Sequence, residues 1–311
     1  MSPSPLLPTR GLPSGYLAAE PTRLRQLIDA ARAAGSFAGT SERTMLRVGA
    51  DGVAVVVLDG LMTKNGGWFG ASTAAVRAQI RDAAARDDVR AIVLKISSPG
   101  GYVDGTADLA ADVAAAAKRK PVECFVEDIC ASAAYWVGSQ ASKVWANPTA
   151  LVGSIGAFQV VWDESEAFRQ MGVRVHVLST GPLKGAGEPG TVVTDEQLAA
   201  EQTLVTDLCA HFFAAVRAGR KLTPRQLDAV TSGEVWIASK AKGLGLIDGI
   251  KTLDDVVADL ADSPDPSVRR RALRARVRFE LEAGSIEPPA APTPLRDRAA
   301  RAIDDARGAT S

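Results

Sequence analysis

The stretch AIVLKISSPGG, residues 91–101, decides the fold. Its first part is a run of Ile, Val and Leu interrupted only by Lys95, the composition of a strand buried on both faces. It runs straight into Ser98-Pro99-Gly100-Gly101, which cannot continue the strand and marks a turn. Two adjacent glycines allow a tight turn and let bare backbone N–H groups come close to a ligand. Taken alone, the turn is only punctuation. At the carboxyl end of a parallel strand it stands where open α/β sheets place their sites.

The flanking segments supply the parallel strands. VAVVVLDG (53–60) is a buried strand ending in a turn, and ASTAAVRAQIRDAAARD (71–87) has apolar residues at helical spacing. A helix is expected at about 105–118, then a strand at VECFVE (122–127). Strand, helix, strand, helix, strand implies a mostly parallel α/β sheet with helices on its faces. Further on, KVWAN (143–147) reads as a short strand, and VRVHVLS (173–179) as a strand with alternation. Thr194 and Gln197 have capping-box spacing and open a helix over 194–218, with an apolar stripe of Leu198, Val205, Leu208, Phe212 and Val216. Thr223-Pro224-Arg225-Gln226 opens another helix, with proline at its first position. No internal repeat is evident.

The 311 residues fit one catalytic domain with tails. Residues 1–45 form a partly disordered N-terminal arm rich in Pro, Ala, Arg and Ser, without strand signals, in which RLRQLIDAARAAG reads as one helix. Residues 46–262 form the catalytic domain. Residues 263–311 combine a basic helical run (RRRALRARVRFELEA) with a Pro/Ala stretch and a charged, flexible end. Lys plus Arg and Asp plus Glu both number 36, so no net field draws in nucleic acid or an anionic membrane. No apolar run reaches the length of a signal-peptide core or the roughly 18 residues of a membrane span, so the expected location is cytoplasmic. Three scattered cysteines (Cys124, Cys130, Cys209) fit a reducing compartment. Cys130, two residues before Ser132, reads as a small apolar packing residue.

Two segments point to nucleophilic chemistry. Ala131-Ser132-Ala133-Ala134-Tyr135-Trp136 follows the strand at 122–127 and starts a helix of small residues. A serine at a strand-to-helix turn has an exposed hydroxyl near the positive end of the helix dipole, and the next N–H is free for an oxyanion. The competing reading is a plain helix N-cap. In Thr180-Gly-Pro-Leu-Lys184-Gly-Ala-Gly187 a lysine is bracketed by glycines and a proline, unlike a surface lysine among helix formers. A lysine serves as base only when neutral, which requires burial. The competing reading is a solvated loop lysine. Only two histidines exist, His176 in the expected strand and His211 beside Phe212 and Phe213, and both read as packing or surface residues. If Ser132 is activated, Lys184 is the better base.

At these residues the chain resembles the signal peptide peptidase A family of serine–lysine peptidases, over roughly 50–252. The segments that carry the resemblance are SSPGG (97–101), ASAAYW (131–136), VGSIGA (152–157), STGPLKGAGEP (179–189) and GLIDGI (245–250). It implies the Clp protease/crotonase-like fold, with Ser132 as nucleophile and Lys184 as general base. It further implies that the Ser154 hydroxyl orients the lysine amine and that the N–H groups of Gly101 and Ala133 form the oxyanion hole. The family's nucleophile motif often continues Gly-Gly where this chain has Ala133-Ala134. The missing membrane anchor shifts the resemblance toward the soluble phage capsid-assembly (prohead) proteases, working in the cytoplasm or within a prohead.

The implied reaction is hydrolysis of a polypeptide bound as an added strand beside the glycine turn, by a homo-oligomeric ring or dome, on capsid or scaffold proteins or other flexible segments. No metal, nucleotide or other cofactor is implied. The alternatives are a soluble bacterial peptidase acting on signal-peptide-like or misfolded segments, a coenzyme A enzyme of the same fold, and a catalytically silent capsid or scaffold component. Coenzyme A chemistry would rely on carboxylates, which the Ser/Lys pair does not supply. Whether Ser132 and Lys184 meet within one chain or across an interface is open at this point.

Overall fold

The computed structural model describes residues 17–19, 46–66 and 70–262. The helix expected within the N-terminal arm and the basic run after residue 262 lie outside the described residues.

A large sheet carries the chain's core. Its main strands are β2 (Arg47–Val48), β3 (Val53–Asp59), β6 (Ala91–Ser98), β8 (Val122–Ala131), β10 (Leu151–Gly153) and β11 (Val235–Ile237), in the order β11-β10-β8-β6-β3-β2. Strands β9 (Lys143–Ala146) and β12 (Gly249–Ile250) extend it beside the first half of β8. The pairs β3–β6, β6–β8, β8–β9, β8–β10 and β9–β12 are parallel, and only β2–β3 and β10–β11 are antiparallel. A smaller sheet holds β1 (Leu17–Ala19), β7 (Gly100–Tyr102), β4 (Leu61–Thr63) and β5 (Gly70–Ser72), in the order β1-β7-β4-β5.

The period-2 pattern of the central strands divides the core into two layers. Ala54, Val56, Leu58, Ile92, Leu94 and Ile96 face one way, against α1 (Thr73–Ala85) and α2 (Thr106–Ala117) through Val76, Ile80, Leu109 and Val113. Val53, Val93 and Phe125 face the other way, against Val256 and Leu260 of α8 (Leu253–Asp262). The chain is thus a mostly parallel sheet with helices on both faces, as its pattern implied.

Local chemistry fixes the helix ends. Ser72 Oγ caps α1 by accepting from Ala75 N at 3.1 Å. The buried Lys120 amine closes the far end, donating to the carbonyls of Ala83 at 2.8 Å, Val89 at 2.7 Å and Arg86. Arg77 of α1 bridges to Asp108 and Asp112 of α2 at 2.8 and 2.7 Å. Among the described helices, none is long and apolar enough to cross a membrane.

Two expectations fail. Residues 173–179 form no strand. Their alternation is real, but among the described residues no neighbouring strand offers backbone groups to pair with, and Val173, Val177 and Leu178 stay exposed. Conversely, the arm without strand signals contributes β1. Three residues are too short for periodicity, and the strand exists because β7 supplies the ladder.

Candidate active site

The carboxyl ends of β6 and β8 bring together the two turns singled out from sequence. The β6–β8 pairing shifts register after Ile96, so that Ser98 lies opposite Cys130. Ser98 fixes its own turn: its Oγ donates to Gly60 O at 2.6 Å and accepts from Gly100 N at 3.2 Å. Gly100 then takes φ +99°. At Gly101 a Cβ would lie 2.0 Å from Met62 O, so no side chain fits.

Ser132 follows β8 and precedes α3 (Ala133–Gly138), the helix of small residues. Its backbone is at φ 54°, ψ −122°, outside the regions L-residues ordinarily populate. Such conformations cost on the order of 1–3 kcal/mol and persist where surrounding structure enforces them. The enforcement is visible. Ser132 N donates to Gly153 O at 2.8 Å, and Trp136 N donates to Ser132 O at 2.9 Å. The plain N-cap reading does not hold, because the side chain makes no capping bond and its Oγ donates instead to Gly156 O at 3.2 Å.

Helix α3 is buried along its whole length and anchored at several points. Trp136 stacks on Phe212 of α5 (Asp195–Arg220), ring centroids 4.9 Å apart and nearly parallel at 7°. Tyr135 Oη donates to Leu246 O at 2.7 Å. Gly138 admits Cys124 and Cys130, whose sulfurs would lie 3.1 and 3.2 Å from a Cβ there. Burial, with Cys124 beside it, pushes the Cys130 thiol well above its usual range, so it is no thiolate nucleophile.

Ser154 lies next to this turn, because β10 pairs with the end of β8 and Gly153 stands opposite Ala131. It too has a positive φ, 51°, held by its N–H donating to Glu234 O at 2.6 Å. Ser132 and Ser154 are 1% and 6% exposed. The Ser154 hydroxyl has no hydrogen-bond partner among the described residues. Ala133, the first residue of α3, carries the orphan amide that follows Ser132.

Lys184 is elsewhere. It sits on an exposed loop and lines an open surface cavity with Glu166, Arg169, His176 and Gln197. Its amine has no hydrogen-bond or ion-pair partner among the described residues, Ser132 included. The ends of β6, β8 and β10 thus place Ser132, Ser154, Gly101 and Ala133 at one end of the sheet, and none of the four lines the cavity at Lys184. His176 and His211 are both exposed.

The loop belongs to an arm the sequence reading did not see. Helix α4 (Ser165–Gln170) buries no residue, and α5 buries none before Cys209. Trp162 is 61% exposed and Leu178 97%, joined by Val160, Met171, Leu183, Val192, Leu198 and Leu204. Most of the exposed large apolar side chains among the described residues fall in this one stretch. The available signal was an apolar stripe on α5 longer than the domain's own core needs.

Residues 114–265 match peptidase family S49. Protease 4 of Salmonella typhi is 35% identical over 207 residues, covering 66% of this chain and 33% of that protein. A putative protease of Methanocaldococcus jannaschii is 30% identical over 174 residues, 56% of each protein. Capsid assembly protease C of Escherichia phage lambda is 26% identical over 220 residues, 71% of this chain and 50% of that protein. The chain thus spans a third to just over half the length of these relatives. Among solved structures, an enoyl-CoA hydratase/isomerase family protein from Silicibacter pomeroyi aligns with TM-score 0.45 at 18% identity, covering 78% of this chain and 99% of that one.

Proposed function

From the match of residues 114–265 to peptidase family S49 we infer that the chain is a serine endopeptidase, in which Ser132 of one copy meets Lys184 of another. The observation that carries the reading is the Ser132 backbone. A non-glycine residue held at φ 54° between strand and helix, with a side chain that caps nothing, is a nucleophile's geometry rather than a structural serine's. The arm supports the two-copy arrangement. It holds Lys184 beside apolar side chains that the described residues leave uncovered, with no partner among them.

In this reading the arm of one copy packs on its neighbour and delivers the amine to the Ser154 hydroxyl, which orients it. The neutral amine takes the Ser132 proton as Oγ adds to a peptide carbonyl carbon. The oxyanion rests on the N–H groups of Gly101 and Ala133, and the lysine then protonates the leaving amine. Water repeats the sequence on the acyl-enzyme. The arrangement implies a closed homo-oligomer, since each copy both gives and receives an arm. The lambda relative favours flexible segments of capsid or scaffold proteins as substrates, and work in the cytoplasm or inside an assembling prohead.

The test is hydrolysis of a flexible, alanine-rich peptide by the full chain. Ser132→Ala and Lys184→Ala each lower kcat/KM on the order of 10⁴-fold without changing oligomer size. Either variant retaining near-full activity removes that residue from the mechanism.

A further inference from the structure

Strand β1 takes the edge of β7, next to the glycine turn, where an extended peptide would add. Its register is antiparallel, with Leu17 opposite Tyr102, Ala18 opposite Gly101 and Ala19 opposite Gly100. Strand β7 starts just after Ser98, which lies opposite Cys130, and runs away from that end. An antiparallel partner therefore runs toward Ser132, so the carboxyl side of Ala19 points at the nucleophile. That is the polarity of the acyl half of a substrate. Ala19 is 2% exposed and lines an apolar cavity with Ser154, Ile155, Gly156, Cys209 and Phe213. Gly156 is the residue whose carbonyl accepts from the Ser132 hydroxyl.

We propose that Leu17–Ala19 is an internal substrate seated in the peptide groove, and that the enzyme cuts its own chain after Ala19. The proposal rests on the peptidase reading above. Ser132 Oγ adds to the Ala19 carbonyl carbon, and the Ala19–Glu20 C–N bond breaks as the Glu20 nitrogen leaves with the proton taken from the serine. Water hydrolyses the ester, leaving a carboxylate on Ala19 and a free amine on Glu20. Until then the tethered segment sits at an effective concentration on the order of millimolar, so with a Kd of about 0.1 mM for the groove it is bound about ten to one and slows an added peptide roughly tenfold. The buried Ala19 methyl also defines the substrate class: peptides with a small apolar residue before the cut.

The experiment follows intact mass and hydrolysis of an added alanine-rich peptide by the full-length chain in parallel. Wild type is expected to lose residues 1–19, with a lag in peptide hydrolysis that ends as the cut completes, while Ser132→Ala stays intact. Two uncleaved variants should diverge. Glu20→Pro keeps Ala19 seated but presents a bond to proline nitrogen, so hydrolysis stays about tenfold low. Ala19→Arg cannot enter the apolar cavity, so the groove opens and hydrolysis runs from the start without a lag. Wild type that hydrolyses the peptide at full rate with residues 1–19 attached, or that cuts elsewhere, overturns this proposal and leaves the peptidase reading standing. Wild type that cuts neither itself nor the peptide overturns both.

Discussion

Mixing two dead variants should restore activity. Ser132→Ala keeps a working lysine and Lys184→Ala a working serine, and alone each falls on the order of 10⁴-fold. The magnitude follows from where the structure puts the two groups. Ser132 is anchored at the start of a buried helix, whereas Lys184 stands exposed on a loop with no hydrogen bond to it. If each site takes its serine from one copy and its lysine from the next, a site in a one-to-one mixture needs a Lys184→Ala chain on the serine side. It also needs a Ser132→Ala chain on the lysine side. Half of the copies qualify at each position, so about one quarter of the sites are competent in a closed head-to-tail assembly. That stands about three orders of magnitude above either variant alone. The assay is the initial rate of peptide hydrolysis after the variants have exchanged subunits, with exchange verified by mass. A mixture that exchanges fully yet stays at background would show that the dyad forms within one chain, and the two-copy site would be wrong.

Trp162→Asp or Leu178→Asp should break assembly and activity together, while leaving the fold intact because both side chains are exposed in the single chain. Light scattering and circular dichroism check this, and a fully assembled, active double variant would contradict it. Ser154→Ala should lower kcat about tenfold with little change in KM, since the hydroxyl orients the amine and forms no bond to substrate. Full activity in that variant removes Ser154 from the site. EDTA should leave the rate unchanged, since no step of the proposed mechanism uses a metal. His176→Ala and His211→Ala should each keep near-full activity, and its loss in either variant would assign the base to histidine instead.

The central layers were legible because their signals are local. Alternation along 53–59 and 91–98 places each side chain on one of two faces, and the helical spacing of Val76, Ile80, Leu109 and Val113 supplies the cover. The SPGG turn and the serine after β8 were visible as residue types at strand ends. Their adjacency needed the register of β6 on β8, which no local pattern states. The strand expected at 173–179 failed for the same reason: alternation records an apolar face but not whether a partner strand exists to pair with it.

The sequence alone determined the sheet, its helices, and the residue types on which the chemistry rests. Short-range sterics and burial periodicity are written into neighbouring positions. Only the tertiary structure decided that Ser132 is held at a positive φ by Gly153 and Trp136 rather than capping a helix. It alone put Lys184 on an exposed loop with no hydrogen bond to Ser132, and laid Leu17–Ala19 along the glycine turn. Each of these depends on contacts between segments distant in sequence, whose geometry is set by the packing of the whole chain and not by the residues that meet.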